Sequence, residues 1–182
     1  MNRTSFLIAL GVILLLHSMV RPQSEELPKF EVAGEFTTLE RGDFSGRRTD
    51  PGFGGRFTYN LNNYIALDSE VNFFLPDEGP PTATQSLFGI KAGKRTKYVG
   101  VFAKVRPGFQ TNFVVNDREQ ARLALDVGGV AEFYPNRHVV LRFDAGDVII
   151  PFGNGVVGEG LFAQRLGTTH NLQYSLGVGI RF

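Results

Sequence analysis

The chain contains no cysteine. A disulfide framework is therefore excluded, and so is a lipid-modified N-terminal cysteine in an exported form. An exported protein without disulfides needs another source of stability. Closing a sheet into a barrel supplies one, because every strand edge becomes paired. Net charge is nearly absent as well: 19 Lys and Arg stand against 18 Asp and Glu. Arg3 and Arg21 lie in the first 24 residues, so the rest of the chain carries one more acid than base. That balance is no footprint for nucleic acid, which calls for a clustered basic face. Paired histidines, a Walker-type loop and a G-x-S-x-G elbow are all missing, so metal, nucleotide and serine-hydrolase motifs have no support.

Long apolar runs are missing beyond the start of the chain. Residues 6–16 form an unbroken apolar stretch, preceded by Arg3 and followed by polar residues and Pro22. A membrane-spanning helix needs about 20 apolar residues, and this run is about half of that. The pattern is that of a secretory leader over residues 1–24, cleaved between Ser18 and Ser24. Residues 25–182 then form one domain, which crosses a membrane only if it does so as strands.

Glycine (22) and phenylalanine (17) are abundant. The chain after residue 25 alternates with a period of two, which places successive residues on opposite faces of a strand. Phe30, Val32, Gly34 and Phe36 share one face; Phe53 to Tyr59, Ile65 to Phe73, Phe88 to Ala92 and Val99 to Val105 repeat the pattern. It returns in Leu123 to Phe133, Val139 to Ala145 and Leu172 to Phe182. None of these positions is charged. The opposite face carries Glu31, Glu35, Asp68, Glu70, Asp126, Glu132 and Asp144 with Arg56, Lys91, Lys104, Arg106, Arg122, Arg142 and Arg181, seven of each sign. A soluble barrel and a membrane barrel share this alternation, so other features must decide which face looks inward.

The connections supply one. Three are short (61–63, 95–97 and 135–137) and four are long and polar, at 40–51, 76–85, 110–120 and 151–168. Seven connections join eight strands. Short turns at one rim and long loops at the other are the outer-membrane arrangement. Tyr59, Tyr64, Tyr98 and Tyr134 flank the short turns, where an aromatic girdle belongs. The last strand carries Tyr174, Leu176, Val178 and Ile180 on one face and finishes on Phe182.

That ending resembles the C-terminal signature of bacterial outer-membrane barrels, read by the assembly machinery before insertion. The chain over residues 25–182 resembles small eight-stranded barrels such as the transmembrane domain of outer membrane protein A. Residues 104–109 (KVRPGF) and the hairpins around Tyr59–Asp68 and Tyr134–Asp144 are similar to members of the same broad class. The resemblance implies an all-β, eight-stranded antiparallel up-and-down transmembrane barrel in the cell outer membrane. Its partners would be outer-membrane lipid, lipopolysaccharide and the barrel-assembly machinery. It would be a monomer without cofactor, binding no nucleic acid. It implies no activity.

An eight-stranded barrel is barely wide enough for its own side chains. The balanced charges fit a self-neutralising interior that plugs the barrel, with a narrow or gated ion path as the alternative. Catalytic residues are not expected. His138 adjoins a short turn, and His170 opens the last strand with Ser175 on the opposite face. A lipid-modifying enzyme is thus the least supported reading. Asp43, Asp50, Asp77, Glu78, Asp117 and Glu119 are read as solvated loop charges. Gly52 to Gly55, with Gly177 and Gly179, make interior room.

Overall fold

The computed structural model describes residues 28–43, 46–75, 83–115, 118–151, 156–157, 164–165 and 167–182. Eight long strands form the wall: β1 (Phe30–Asp43), β2 (Gly46–Asn60), β3 (Ile65–Phe74), β4 (Ala83–Arg95), β5 (Val99–Val115), β6 (Arg118–Asn136), β7 (Val139–Pro151) and β10 (Thr168–Arg181). Each pairs antiparallel with its chain neighbours, and β10 pairs with β1 to close the barrel. Between β7 and β10, β8 (Val156–Val157) and β9 (Gln164–Arg165) make a small ribbon of their own. The leader at residues 1–24 lies outside the described residues, as does most of the connection at 76–85, with Asp77 and Glu78, and Asp117.

Strand register fixes the tilt. Phe30 faces Tyr59, which faces Leu67, and the same row continues through Ile90, Val105, Val127, Asp147 and Leu172. Leu172 faces Glu40, ten residues up β1 from the starting point. A stagger of ten over eight strands tilts them by about 40° and gives a wall radius of about 8 Å, a width that side chains fill.

The two faces resolve the ambiguity that alternation leaves. Phe36, Phe53, Phe88, Val101, Leu176 and Ile180 point outward and are exposed, whereas Glu35, Arg56, Asp68, Lys104, Arg106 and Arg142 point inward and are buried. Charges line the interior and apolar side chains form the outer belt, the inverse of a soluble barrel. Inward glycines let the strands curve. A Cβ on Gly93 would stand 2.0 Å from the Val101 carbonyl oxygen, and one on Gly128 would stand 2.1 Å from that of Ala145.

The short turns are built from side-chain caps. Asn62 Oδ1 accepts from the backbone N–H groups of Tyr64 and Ile65 at 2.7 and 2.8 Å. Asn136 Oδ1 does the same for His138 and Val139 at 2.8 and 3.0 Å. Asparagine mimics the backbone in this role, and it tightens the turn.

Two expected polar loops prove to be sheet. β1 and β2 stay paired out to Asp43 and Gly46, so residues 40–51 are mostly strand. β5 and β6 stay paired out to Val115 and Arg118, so residues 110–120 are mostly strand too. A membrane strand needs about 9–11 residues; β5 and β6 have 17 and 19 and project beyond their neighbours as a ribbon. Asp50 is correspondingly not a solvated loop charge. It faces inward, is 3% exposed, and pairs with Arg41 at 3.0 Å and Arg48 at 2.9 Å.

Candidate functional site

The interior is layered. At the short-turn end, Arg95, Arg181 and Tyr134 meet Glu31, Asn60 and Glu132. Arg95 Nε donates to the Tyr134 hydroxyl oxygen at 2.8 Å, and that hydroxyl donates to Glu132. Arg95 Nη2 donates to Asn60 Oδ1 at 2.8 Å, and Arg181 Nε donates to Glu31 at 3.0 Å. The Arg181 guanidinium lies 4.1 Å from the centre of the Tyr134 ring.

Tyr134 therefore is no interfacial aromatic, contrary to its reading from position beside a turn. It is 1% exposed and shares its inward phase with Glu132, two residues away. Parity outweighs proximity to the rim, and the charged partners satisfy its hydroxyl. Tyr64 and Tyr98 are exposed near the short turns, and Tyr59 is half-buried with its ring 5.2 Å from that of Phe30. Arg95, expected in a turn, instead continues the inward phase of Lys91 and Gly93.

The middle layer is ionic. Arg142 grips Asp68 with both terminal nitrogens, at 3.0 and 2.8 Å, and also reaches Asp144 at 2.8 Å. Arg106 holds Asp126 through Nε and Nη2 at 2.8 and 2.6 Å, and turns Nη1 to Asp68 at 3.0 Å and to Glu70. Arg56 bridges Glu35 and Glu70, the latter at 2.8 Å. Lys104 pairs with Asp126 at 2.7 Å and with Asp144; Lys91 pairs with Glu132. Thirteen of the fourteen charges expected to share this face are buried in it or in the short-turn layer below. The exception is Arg122, half-buried near the opposite rim on the same inward phase. Arg95 takes its place in the count, so the two lower layers still hold seven charges of each sign.

A layer of amides follows. Asn72 Nδ2 donates to Glu70 at 2.6 Å and to Gln85 at 3.2 Å, Gln85 Nε2 donates to Gln110 at 3.3 Å, and Gln173 Nε2 donates to Glu70 at 3.1 Å. Toward the ribbon end an apolar cluster of Leu39, Phe74, Ala83, Leu87, Ala124, Val148 and Ile150 packs among these groups, none more than 4% exposed, with Leu87 opposite Glu70, buried Asp50 opposite Leu39 and buried Asn171 opposite Val148. Sequence reading missed this cluster. All but Ala124 lie beyond the expected strand ends, yet each continues an inward phase already set lower down: Leu39 that of Glu35, Phe74 that of Glu70, Val148 that of Asp144.

A cavity of about 10 Å³ is lined by Glu31, Arg56, Thr58, Arg142 and Gly177, among others. That is about the room of one water molecule. The outer face carries the remaining histidine chemistry. His138 is exposed in a short turn, where its carbonyl oxygen accepts from Arg181 N–H at 2.8 Å. His170 faces outward near the other rim, with Nδ1 2.6 Å from Asp147 Oδ2. Ser175 is buried on the opposite face and donates to Thr37 Oγ1 at 2.9 Å.

No family model matches the chain, and no relative is found among curated proteins. Solved structures do resemble it. Neisserial surface protein A superimposes with a TM-score of 0.61 at 14% identity, over 87% of this chain and 100% of that one. Ail, the attachment invasion locus protein of Yersinia pestis, gives 0.54 at 15% identity over 86% and 99%. Outer membrane protein OprG from Pseudomonas aeruginosa gives 0.54 at 13% identity over 89% and 99%. The chain thus has the fold of the small eight-stranded outer-membrane barrels.

Proposed function

We propose that the protein is a closed outer-membrane barrel of structural or surface-interaction type. The leader at residues 1–24 exports it, assembly machinery that reads the strand ending on Phe182 inserts it, and it works as a monomer among outer-membrane lipids and lipopolysaccharide. The short turns face the periplasm, and the paired ends of β1–β2 and β5–β6 stand outside as two rigid ribbons.

One observation carries the reading: the middle of the interior is filled by buried, mutually paired charges, with amides and the apolar side chains of Leu39, Phe74, Val148 and Ile150 packed toward the ribbon end. Each of these charges is held by partners that would have to separate before an ion could pass. The barrel wall is then a rigid mount for the external ribbons. A narrow or gated channel is the competing reading.

Planar-bilayer recording separates the two. The purified protein is expected to show no steady conductance. Substitution of Phe74 and Ile150 by Ser should leave the ionic layers as a block and the current still near zero. Stable openings in the unaltered protein would establish a channel.

A further inference from the structure

Asp147 is out of place. Outward positions of the belt are apolar or small over most of its height, and within the described residues Asp147 is the one carboxylate there between the short-turn rim and the level of Glu40. Its cross-strand neighbours on that face are Val127 on β6 and Leu172 on β10, both exposed. One circuit of the register climbs ten residues along tilted strands, or about 25 Å, which is about the height of the apolar belt itself. Asp147 lies six of eight steps along that circuit. It therefore sits about 19 Å up the belt, several ångströms below its outer edge. His170 stands at that edge and reaches down to it. The His170 side chain is 63% exposed and that of Asp147 32%.

An ionisable side chain on a lipid-facing surface is costly and is a functional-site hypothesis by default. Here Asp147 fixes the imidazole through Nδ1, so Nε2 is the ring nitrogen left to the surroundings. Among the described residues, Asp147 and His170 are hydrogen-bonded only to each other through their side chains, at the depth where acyl chains join their head group. Ester-linked glycerophospholipids offer only acceptors there. A glycolipid with amide-linked or hydroxylated acyl chains offers N–H and O–H donors beside C=O and hydroxyl acceptors, and so suits Nε2 with or without a proton.

We infer that the Asp147–His170 pair is a lipid-binding site on the barrel's outer face, selective for glycolipids carrying amide or hydroxyl groups at the roots of their acyl chains. The inference rests on the membrane reading above, in which the ribbon end of the barrel faces the glycolipid-bearing leaflet. It narrows the expected lipopolysaccharide contact to two residues on β7 and β10.

The test uses the whole folded protein in phosphatidylcholine vesicles, supplemented either with lipid A bearing amide-linked hydroxyacyl chains or with phosphatidylglycerol as an anionic, ester-linked control. Lipid A is expected to shift the His170 ring resonances and to raise the unfolding midpoint by several degrees, and phosphatidylglycerol to do neither. The Asp147→Leu/His170→Leu variant should lose the difference. Equal responses to the two lipids, or an undiminished lipid A response in the variant, would overturn the site. So would a self-association abolished by the same double substitution, because the occupant would then be a second copy. The ring resonances of the unaltered protein decide the matter even if the variant does not fold. Vesicles present lipid A on both sides, so the result does not depend on orientation. Labelling of Thr49→Cys on intact cells tests the orientation separately.

Discussion

At the residue scale, the interior is decided by who satisfies whom. Tyr134 is the clearest case. Its ring is clamped by Arg181, and its hydroxyl links Arg95 to Glu132. Replacing it by Phe keeps the ring and removes the link, leaving a buried guanidinium and a buried carboxylate each short of a partner. A buried group left unsatisfied costs about 1–3 kcal/mol, and more when charged. Tyr134→Phe should therefore lower unfolding stability by about 2 kcal/mol, measured by urea titration in lipid vesicles, without changing the barrel's gel migration. No loss would mean that the hydroxyl is not held between charges. The same residue shows how reading by neighbourhood misleads. Four tyrosines near short turns suggest one girdle, yet Tyr64 and Tyr98 are exposed, Tyr59 is half-buried and Tyr134 points inward. Two-residue spacing from Glu132 was the available signal, and it outranks nearness to a turn.

At the element scale, the eight strands were legible because lipid outside and a narrow interior inside both punish a residue on the wrong face. Strand ends were not legible. Past the belt, water takes the place of lipid, and a polar residue on either face costs little. Thr49, Arg48 and Arg47 on β2 therefore read as loop although they continue the sheet. The inward phase also changes character along its height, from charges through amides to Leu39 and Phe74, so a search for charged inward residues stops short of the apolar cluster. The projecting ends have a testable consequence. Among the described residues, the β5–β6 ribbon beyond Gln110 pairs along its backbone only with itself, and its link to β4 is through Thr111, whose Oγ1 accepts from Thr84 N–H at 3.0 Å and donates to the Thr84 carbonyl oxygen at 3.2 Å. Removing residues 113–120 and closing the chain with a two-residue turn should leave the barrel folded, seen as an unchanged difference in migration between boiled and unboiled samples. A barrel that no longer closes would show that the ribbon helps to form the wall.

At the scale of the whole molecule, the ionic core is buried inside the wall. Surface ion pairs weaken as salt shortens the Debye length to about 3 Å at 1 M. Pairs such as Arg106 with Asp126 and Arg142 with Asp68 are shielded by the wall around them and by the apolar cluster toward the ribbon end. The unfolding midpoint should therefore change little between low salt and about 1 M sodium chloride. A steep decline would show that electrolyte enters the interior. Burying charges in this way is costly unless they are paired, and each of the seven acids and seven bases has an ion-pair partner of opposite sign.

The seam between β1 and β10 adds a kinetic consequence. Glu31 and Arg181 meet across it, 150 residues apart along the chain, as do the rings of Phe30 and Phe182 at 5.8 Å. The other wall contacts join strands that follow one another, and hairpins of that kind form within microseconds. The seam alone requires the ends of the sheet to find each other, and loop-closure entropy is lost before that pairing is gained. Until it forms, β1 and β10 each expose a row of unpaired backbone groups, which no lipid can satisfy. The protein's moment of greatest vulnerability is thus an open sheet with two sticky edges, and whatever guides its insertion has most to do at those two strands.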